Sequence, residues 1–293
     1  MGIDELTCTI DGQNIHYLQR QATTAGAPVV VLLHGFPECA QAWLPVISHL
    51  PDNLHIVIPD LPGFGESAPL ASDSDYEVGP LCARLNKFIQ KVATVPVHLV
   101  GHDWGGALAW PLAGFYSDSI STLTIINAAH PSTFVRELKT NPRQQQKSLY
   151  INTLNQPGMA QELAGRDFRL LKRIMGDSLN LNGDAYAKRL VSNWSDTDKL
   201  DAMLAYYRAM PQGVPVTKAQ ADAIRIPSLT LTVPVQVLWG CQDDAFDEAV
   251  LTCLEDWVSD LTVIRHRHAT HWLHREQPDW VAQHLLTHIG SSD

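Results

Sequence analysis

Continuous apolar runs recur along the chain and predict buried strands. They lie at residues 29–34 (VVVLLH), 55–59, 97–100, 123–127, 235–239 and 261–265. Runs rich in β-branched residues suit strands that are buried on both faces, as in a parallel sheet covered by helices. Residues 6–10 and 15–20 flank Asp11 and Gly12, a pair that favours a tight turn, so they predict a hairpin at the edge of the sheet.

Helical patterns alternate with these runs and predict a doubly wound α/β sheet with right-handed crossovers. They lie at about residues 42–50, 76–92, 105–116, 247–258 and 278–289. The stretch 131–228 differs, because it indicates several helices and no strand. We interpret it as a helical cap inserted after the sixth strand, between two parts of the core at 1–130 and 229–293. A lid at the carboxyl ends of the strands is favoured over a surface insertion without function.

The composition is that of a soluble globular protein, with 293 residues, 45% of them apolar and 18% charged. The net charge of -10 disfavours nucleic acid and anionic membranes as partners. Five cysteines at irregular spacings, without CxxC, fit a reducing cytoplasm better than a disulfide framework. The first ten residues do not resemble a signal peptide, and no apolar run approaches the roughly 20 residues of a membrane span.

A glycine-rich turn, GHDWGG at residues 101–106, directly follows the apolar run at 97–100. Small residues around Asp103, between a buried strand and a helix, predict a nucleophile elbow whose strained backbone lifts the central side chain above the sheet. An aspartate before a helix is also a common N-cap, but the flanking glycines favour the elbow. A carboxylate nucleophile at this position would attack a saturated carbon and form an alkyl ester.

Hydrolysis of such an ester needs donors for the oxyanion that forms on the carboxyl group of Asp103. HGFPE at residues 34–38 follows another buried strand, and a His-Gly turn can direct backbone N–H groups into the cleft. We therefore predict an oxyanion hole made by the N–H groups of Phe36 and Trp104, the residue after the nucleophile. An ordinary βα loop would also tolerate this turn.

The same step needs a base, and histidines crowd the loop after the last predicted strand. They are His266, His268, His271 and His274. A metal site is the alternative, but the segment lacks partner thiolates and the i,i+4 helical spacing, so we predict no metal. We place the base at His271, just before the final helix, with His268 as second choice.

An acid that orients this base is expected at the end of an earlier strand. VQVLWGCQDDAF at residues 235–246 supplies Asp243 and Asp244. We choose Asp243, and Asp244 would then be a loop acid. The chain order is therefore nucleophile Asp103, acid Asp243 and base His271.

These motifs together resemble the α/β-hydrolase-fold epoxide hydrolases. The matching residues are HGFPE, GHDWGG, HPSTF at 130–134, WGxxD at 239–243 and THW at 270–272, and the likeness extends from about residue 9 to 289. The resemblance implies an α/β-hydrolase fold and the conversion of an epoxide to a vicinal diol, without a cofactor. Ala269 and Thr270 depart from the glycine that the family usually has before the histidine.

The resemblance also implies two lid tyrosines that hydrogen-bond the epoxide oxygen. SLYINTLNQPG gives Tyr150 and AYYRAMP gives Tyr207, with Tyr206 and Tyr186 as the alternatives. A ring-opened alkoxide is strongly basic, so a phenol with a pKa near about 10 is a suitable proton donor. We further expect substrate contacts from His34, Pro37 and His130.

Two other functions remain open at the level of sequence. A dehalogenase would share the Asp103 nucleophile and could use the indole N–H of Trp104 for the halide. The side chain of Phe36, however, offers no second polar donor for it. The fluoroacetate type would have Arg in place of Trp104. A ligand-binding protein without catalysis is the third reading, because a fold does not determine a function. We expect a hydrophobic epoxide and water as partners, and a monomer or a homodimer.

Overall fold

An eight-stranded sheet forms the centre of the computed structural model, which describes residues 2–181, 183–211 and 213–290. The strands are β1 (Asp4–Ile10), β2 (Gln13–Arg20), β3 (Val29–Leu33), β4 (His55–Pro59), β5 (Val97–His102), β6 (Ile120–Ile126), β7 (Val235–Gly240) and β8 (Leu261–His266). Their order across the sheet is β1-β2-β4-β3-β5-β6-β7-β8. The hairpin β1-β2 is antiparallel and β2 pairs antiparallel with β4, whereas every later pairing is parallel. The predicted, mostly parallel α/β sheet is confirmed.

Helices cover both faces of this sheet, and an apolar core lies on each face between the sheet and its helices. In the core they are α1 (Leu44–Ile47), α2 (Val78–Val92), α3 (Trp104–Phe115), α11 (Leu273–Glu276) and α12 (Pro278–Gly290). Side chains alternate along β3, so that Val29 and Val31 pack in the core under α2 and α3, whereas Val30 packs on the other face with α1 and α12. This burial on both faces explains why the run at 29–34 is continuously apolar.

Seven α-helices and one 3-10 helix, Gly176–Asn180, lie in the described residues between β6 and β7. The α-helices are α4 (Pro131–Thr140), α5 (Pro142–Leu154), α6 (Met159–Gly165), α7 (Arg169–Met175), α8 (Asp184–Ser195), α9 (Thr197–Arg208) and α10 (Lys218–Ala223). We call residues 131–228 the cap segment. Within its described parts, 131–181, 183–211 and 213–228, the structure contains helices and loops but no strand. Residue 1 and residues 291–293, the ends of the predicted core, lie outside the described residues.

One helix predicted in the core is wrong. Residues 247–258 form two short 3-10 helices, Glu248–Leu251 and Leu254–Asp256, instead of one α-helix. Cys253 lies between them with φ +55°, a backbone conformation that interrupts a right-handed helix. The helix predicted at 42–50 is likewise reduced to a 3-10 turn, Ala40–Trp43, and the single turn α1. None of the described helices has both the length and the apolar character needed to cross a membrane.

Candidate active site

The predicted nucleophile lies on a strained turn between β5 and α3. Asp103 has φ +50° and ψ -120°, outside the regions that side-chain-bearing residues normally adopt. The turn can be this tight only because Gly105, two residues after Asp103, has no side chain. A Cβ on Gly105 would lie 2.4 Å from the carbonyl oxygen of Leu33. The carboxylate is thereby held at the N-terminus of α3, where the helix dipole favours negative charge.

His271 bridges the two predicted carboxylates. Its Nδ1 lies 2.9 Å from Oδ2 of Asp243, and its Nε2 lies 3.5 Å from Oδ2 of Asp103. These three side chains come from the ends of β5, β7 and β8, so the sheet alone brings together residues that are far apart in the chain. The two alternatives are exposed: His268 contacts the ring of His266 at 6.5 Å between centroids, and Asp244 lies at the edge of the cavity that Asp103 lines.

The two carboxylates determine the charge of His271. Burial by itself would lower the pKa of His271, but Asp243 on one ring nitrogen and Asp103 on the other raise it to about 10. Burial would likewise raise the pKa of Asp243, yet His271 and the hydrogen bond from Asn127 hold it below the usual value of an aspartate. At neutral pH the site is therefore an imidazolium between two carboxylates.

Asn127 is a member of this group that the sequence analysis missed. It follows β6 with φ +44°, and its Nδ2 donates to Oδ2 of Asp243 at 2.7 Å. The backbone N–H groups of Ala245 and Phe246 donate to the other oxygen, Oδ1, at 2.6 and 2.9 Å. Asp243 is thus fully hydrogen-bonded although it is buried. A polar residue at the carboxyl end of a buried strand was the available signal for Asn127.

The predicted oxyanion donors lie next to Asp103. The N–H of Phe36 donates to Oδ1 of Asp103 at 2.7 Å, so it already reaches the carboxyl group that an ester would occupy. Trp104 is the first residue of α3, and the N–H groups of a first helical turn have no partner within the helix. Both donors can therefore serve an oxyanion on this carboxyl group.

Tyr150 and Tyr207 face this carboxylate from the cap segment. Both line the space above Asp103, with ring centroids 6.2 Å apart. Burial, together with the charge of Asp103, raises the pKa of both phenols above the usual value, so both stay protonated. The two alternative tyrosines donate elsewhere. Tyr206 hydrogen-bonds the carbonyl of Pro62 at 3.0 Å, and Tyr186 hydrogen-bonds Glu38 at 2.9 Å.

Two cavities of different character meet at Asp103. The larger, about 370 Å³, is bordered by charged side chains such as Arg173, Asp177 and Glu276 together with apolar ones such as Ile174 and Met175. The smaller, about 260 Å³, is bordered mainly by apolar ones. Residues shared by both linings are Asp103, Tyr150, Tyr207 and Ala245. The carboxylate and the two phenols therefore form the junction between two arms of the cavity, of which the smaller is the more apolar.

The three expected substrate contacts lie outside both linings. The ring of His34 is buried and accepts the N–H of Leu61 at 3.0 Å, and the carbonyl of Pro37 accepts the indole N–H of Trp194 at 2.9 Å. His130 caps α4 by accepting the N–H of Ser132, with burial lowering its pKa to about 4. The geometry gives all three residues contacts within the protein, and it does not support their contact with a substrate.

The histidine-rich loop does not gather its four rings at one place. His271 lies beside Asp103, whereas His274 lies 3.1 Å from Oε2 of Glu38, a carboxylate that the sequence analysis left unassigned. Glu38, His102 and His274 are the one group in residues 2–181, 183–211 and 213–290 that has metal-ligand geometry. The guanidinium of Arg275 lies 3.7 Å from the same carboxylate, so Glu38 already has a cation beside it.

Glu38, His102, His274 and Arg275 form a buried group, the Glu38 cluster, which contacts the backbone of the base His271 through His102. Burial would raise the pKa of Glu38, but His274, His102 and Arg275 hold it well below its usual value. Nε2 of His102 lies 2.9 Å from the backbone oxygen of His271, and Arg275 hydrogen-bonds the carbonyl of Ser178 in the cap segment at 3.0 Å. A buried charge therefore links the base, the elbow strand and the cap segment.

Thr270, where the resemblance led us to expect glycine, is held by a carboxylate of its own. Its N–H and its Oγ1 both donate to Glu276, at 2.8 and 2.5 Å. Its backbone oxygen packs so closely on Gly240 that a Cβ there would lie 2.1 Å away. Glu276 thus fixes the loop of the base without the usual glycine.

Comparisons with known proteins agree with this geometry. A family model described as alpha/beta hydrolase fold matches residues 28–278. The AB hydrolase superfamily protein YfhM of Bacillus subtilis is 29% identical over 89% of this chain and 90% of its own length. Epoxide hydrolase 3 of Xenopus tropicalis is 30% identical over 87% of this chain and 69% of its own length. The chain belongs to the alpha/beta hydrolase family.

A solved structure shows that the similarity extends to epoxide hydrolases. An epoxide hydrolase of Bacillus megaterium, crystallised with an inhibitor, superposes with a TM-score of 0.87 at 26% identity, over 97% of this chain and 100% of that one. The predicted resemblance to α/β-hydrolase-fold epoxide hydrolases is therefore confirmed.

Proposed function

We propose that this chain converts an epoxide to a vicinal diol through a covalent ester on Asp103. The observation that carries the proposal is the position of Asp103, strained at φ +50°, between His271 on one side and the phenols of Tyr150 and Tyr207 on the other. The names of the relatives support an epoxide as the substrate. Fold alone would not, because one scaffold hosts many activities.

The first step forms the ester. An oxygen of Asp103 attacks one epoxide carbon, and the bond between that carbon and the epoxide oxygen breaks. The released alkoxide takes a proton from Tyr150 or Tyr207, whose raised pKa values keep both phenols neutral until then. The imidazolium of His271 stabilises the carboxylate of Asp103 before the attack.

The second step breaks the ester at its carbonyl. Esterification removes the charge of Asp103, so the pKa of His271 falls, and the ring loses its proton to the phenolate that the first step left on Tyr150 or Tyr207. His271, oriented by Asp243, then takes a proton from water, and the hydroxide attacks the carboxyl carbon of Asp103. The N–H groups of Phe36 and Trp104 hold the oxyanion, and its collapse releases the diol.

We also propose that the cap segment, residues 131–228, acts as a lid. It supplies both phenols and borders both arms of the cavity, and closing a site over a reaction excludes water from it. The unpaired state of all five cysteines supports a reducing compartment such as the cytoplasm.

Trapping of the ester tests the proposal. His271→Ala protein, given styrene, aliphatic and terpene oxides in turn, should accumulate an adduct that mass spectrometry locates on Asp103. The double variant His271→Ala, Asp103→Asn is the matched control and should carry none. Wild-type protein in heavy-oxygen water should acquire the label in Asp103 after repeated turnover. An active preparation without adduct or label would exclude the mechanism.

Product analysis with epoxides and with halogenated compounds decides between the rival functions. A dehalogenase would release halide from haloalkanes or haloacids and form no diol. The indole of Trp104, which such an enzyme would need for the halide, packs edge-on against the ring of Tyr207 at 5.1 Å between centroids. A binding protein would retain epoxides unchanged.

A further inference from the structure

The helix that carries Tyr150 also grips the loop that carries Asp243. Gln144 lies in α5, and its side chain is completely buried. Its Nε2 donates to the carbonyl of Ala245 at 3.0 Å, and its Oε1 accepts the N–H of Asp247 at 2.8 Å. One amide side chain therefore pairs with the backbone of this loop as a neighbouring strand would.

Hydrogen bonds from inside and outside the loop, residues 243–247, hold its shape. Inside it, Oδ1 of Asp243 accepts the N–H groups of Ala245 and Phe246. Outside it, α5 supplies three more hydrogen bonds to the loop backbone, with Gln144 at residues 245 and 247 and Lys147 donating to the carbonyl of Asp243. The position of Asp243 thus depends on α5 as well as on Asn127 and His271, which contact its carboxylate.

Helix α5 is therefore held to the core at the point where the reaction is proposed to occur. Gln144 is anchored on its own helix as well, because Nε2 also donates to Oγ of Ser148 at 2.8 Å. Tyr150 follows within two turns on this helix, and it lines both arms of the cavity together with Ala245. A displacement of the loop would therefore move the acid and the phenol relative to each other.

We propose that Gln144 is a positioning residue that fixes the distance between the phenol of Tyr150 and the Asp243–His271 pair. The inference rests on the function proposed above. It divides the cap segment, because α5 then stays with the core, and any opening of the lid takes place in the other cap helices. Gln144 touches neither substrate nor reacting atoms, so it acts only through the loop and the helix.

Single-turnover kinetics on the full chain test this role. Gln144→Ala is compared with Gln146→Ala, which removes an exposed glutamine from the same helix. The amplitude of adduct formation on Asp103 counts the competent sites, and its rate measures chemistry at each of them. We expect Gln144→Ala to lower that rate by about 10- to 100-fold, since a displacement of about 1 Å can cost that much. KM should change by less than about 3-fold, and Gln146→Ala should behave as wild type.

Gln144→Glu provides the conservative variant. It keeps the length of the side chain and the acceptor for Asp247, but it loses the amide donors to Ala245 and Ser148, so its rate should lie between those of wild type and Gln144→Ala. A fall in amplitude at an unchanged rate per site would show that Gln144 only supports folding, and would overturn the inference. Absence of any adduct in His271→Ala protein, when the wild type is active, would instead overturn the proposed function.

Discussion

The two sides of Asp103 are built on different principles. On the core side, charged groups are held by strand ends and backbone N–H groups: His271 lies between two carboxylates, and Phe36 donates from its backbone. On the cap side the groups are neutral and aromatic. Tyr207 packs edge-on against Phe36 and Trp104, each at 5.1 Å between ring centroids.

The difference corresponds to the two steps of the proposed reaction. Ester formation needs donors that stay protonated beside a carboxylate, and burial provides them by raising the pKa values of Tyr150 and Tyr207. Ester hydrolysis needs a base whose charge follows that of the nucleophile, and the direct pairing of His271 with Asp103 provides it. Substitutions on the core side and on the cap side of Asp103 should therefore affect different steps of the reaction.

Removal of the nucleophile should have the largest effect. Asp103→Asn retains the shape of the elbow but cannot form the ester, so we expect kcat for epoxide hydrolysis to fall by about 10⁴-fold or more. Diol formation measured by chromatography checks this. Retention of more than about a hundredth of the activity would mean that a direct attack by water, without an ester, carries the reaction.

Loss of the phenols should have a smaller effect, confined to the first step. Tyr150→Phe and Tyr207→Phe should each slow ester formation by about 10- to 100-fold, and the double variant by about 10³-fold, within the range of general acid catalysis. Rapid quenching followed by mass spectrometry of the adduct measures this step. Tyr206→Phe is the control, since its hydroxyl binds Pro62. Equal losses in the three single variants would refute the assignment of Tyr150 and Tyr207 as the proton donors.

The charge of His271 should depend on its partners. Its pKa is raised to about 10 from 6.5, so its pairing stabilises the fold fully below about pH 6.5, and this contribution is lost as the pH rises towards 10. Asp103→Asn removes one carboxylate, and the pKa should fall by about 1–3 units. Titration of the imidazole signals by NMR checks the shift. An unchanged pKa would show that Asp243 alone sets it.

Two glycines should separate the rigid loop of the core from the tolerant surface of the cap. Gly240→Ala places a Cβ 2.1 Å from the carbonyl oxygen of Thr270, so we expect the free energy of unfolding to fall by about 2 kcal/mol or more. Gly165→Ala, at the end of α6 with open space around it, should raise that energy by about 0.5 kcal/mol. Urea denaturation measures both. A Gly240→Ala protein as stable as wild type would contradict the close approach.

The core was predictable because its signals are contiguous in the sequence. Buried parallel strands are apolar on both faces, so β3 to β7 stood out, and GHDWGG located the elbow without any knowledge of tertiary contacts. The helix predicted at 247–258 failed for a local reason, since nothing in the apolar pattern reveals the positive φ of Cys253.

The cap was less predictable because its residues are chosen by long-range contacts. Tyr150, Tyr186, Tyr206 and Tyr207 all lie in cap helices, and the apolar pattern does not separate the two that face Asp103 from the two that hydrogen-bond Pro62 and Glu38. Gln144 is one of three consecutive glutamines, so its burial could not be inferred either. His34, Pro37 and His130 were chosen for their place in or next to a motif, and none of them is among the residues that line the two cavities.

Glu38 has a consequence for how the protein melts. Its carboxylate is shared by Tyr186 of α8, by the elbow strand through His102 and by the C-terminal part of the chain through Arg275. Withdrawal of one partner leaves a dehydrated charge, at a cost of about 3–5 kcal/mol. Detachment of α8 therefore weakens the C-terminal part as well. Cap and core should unfold in a single cooperative transition rather than as two separate units.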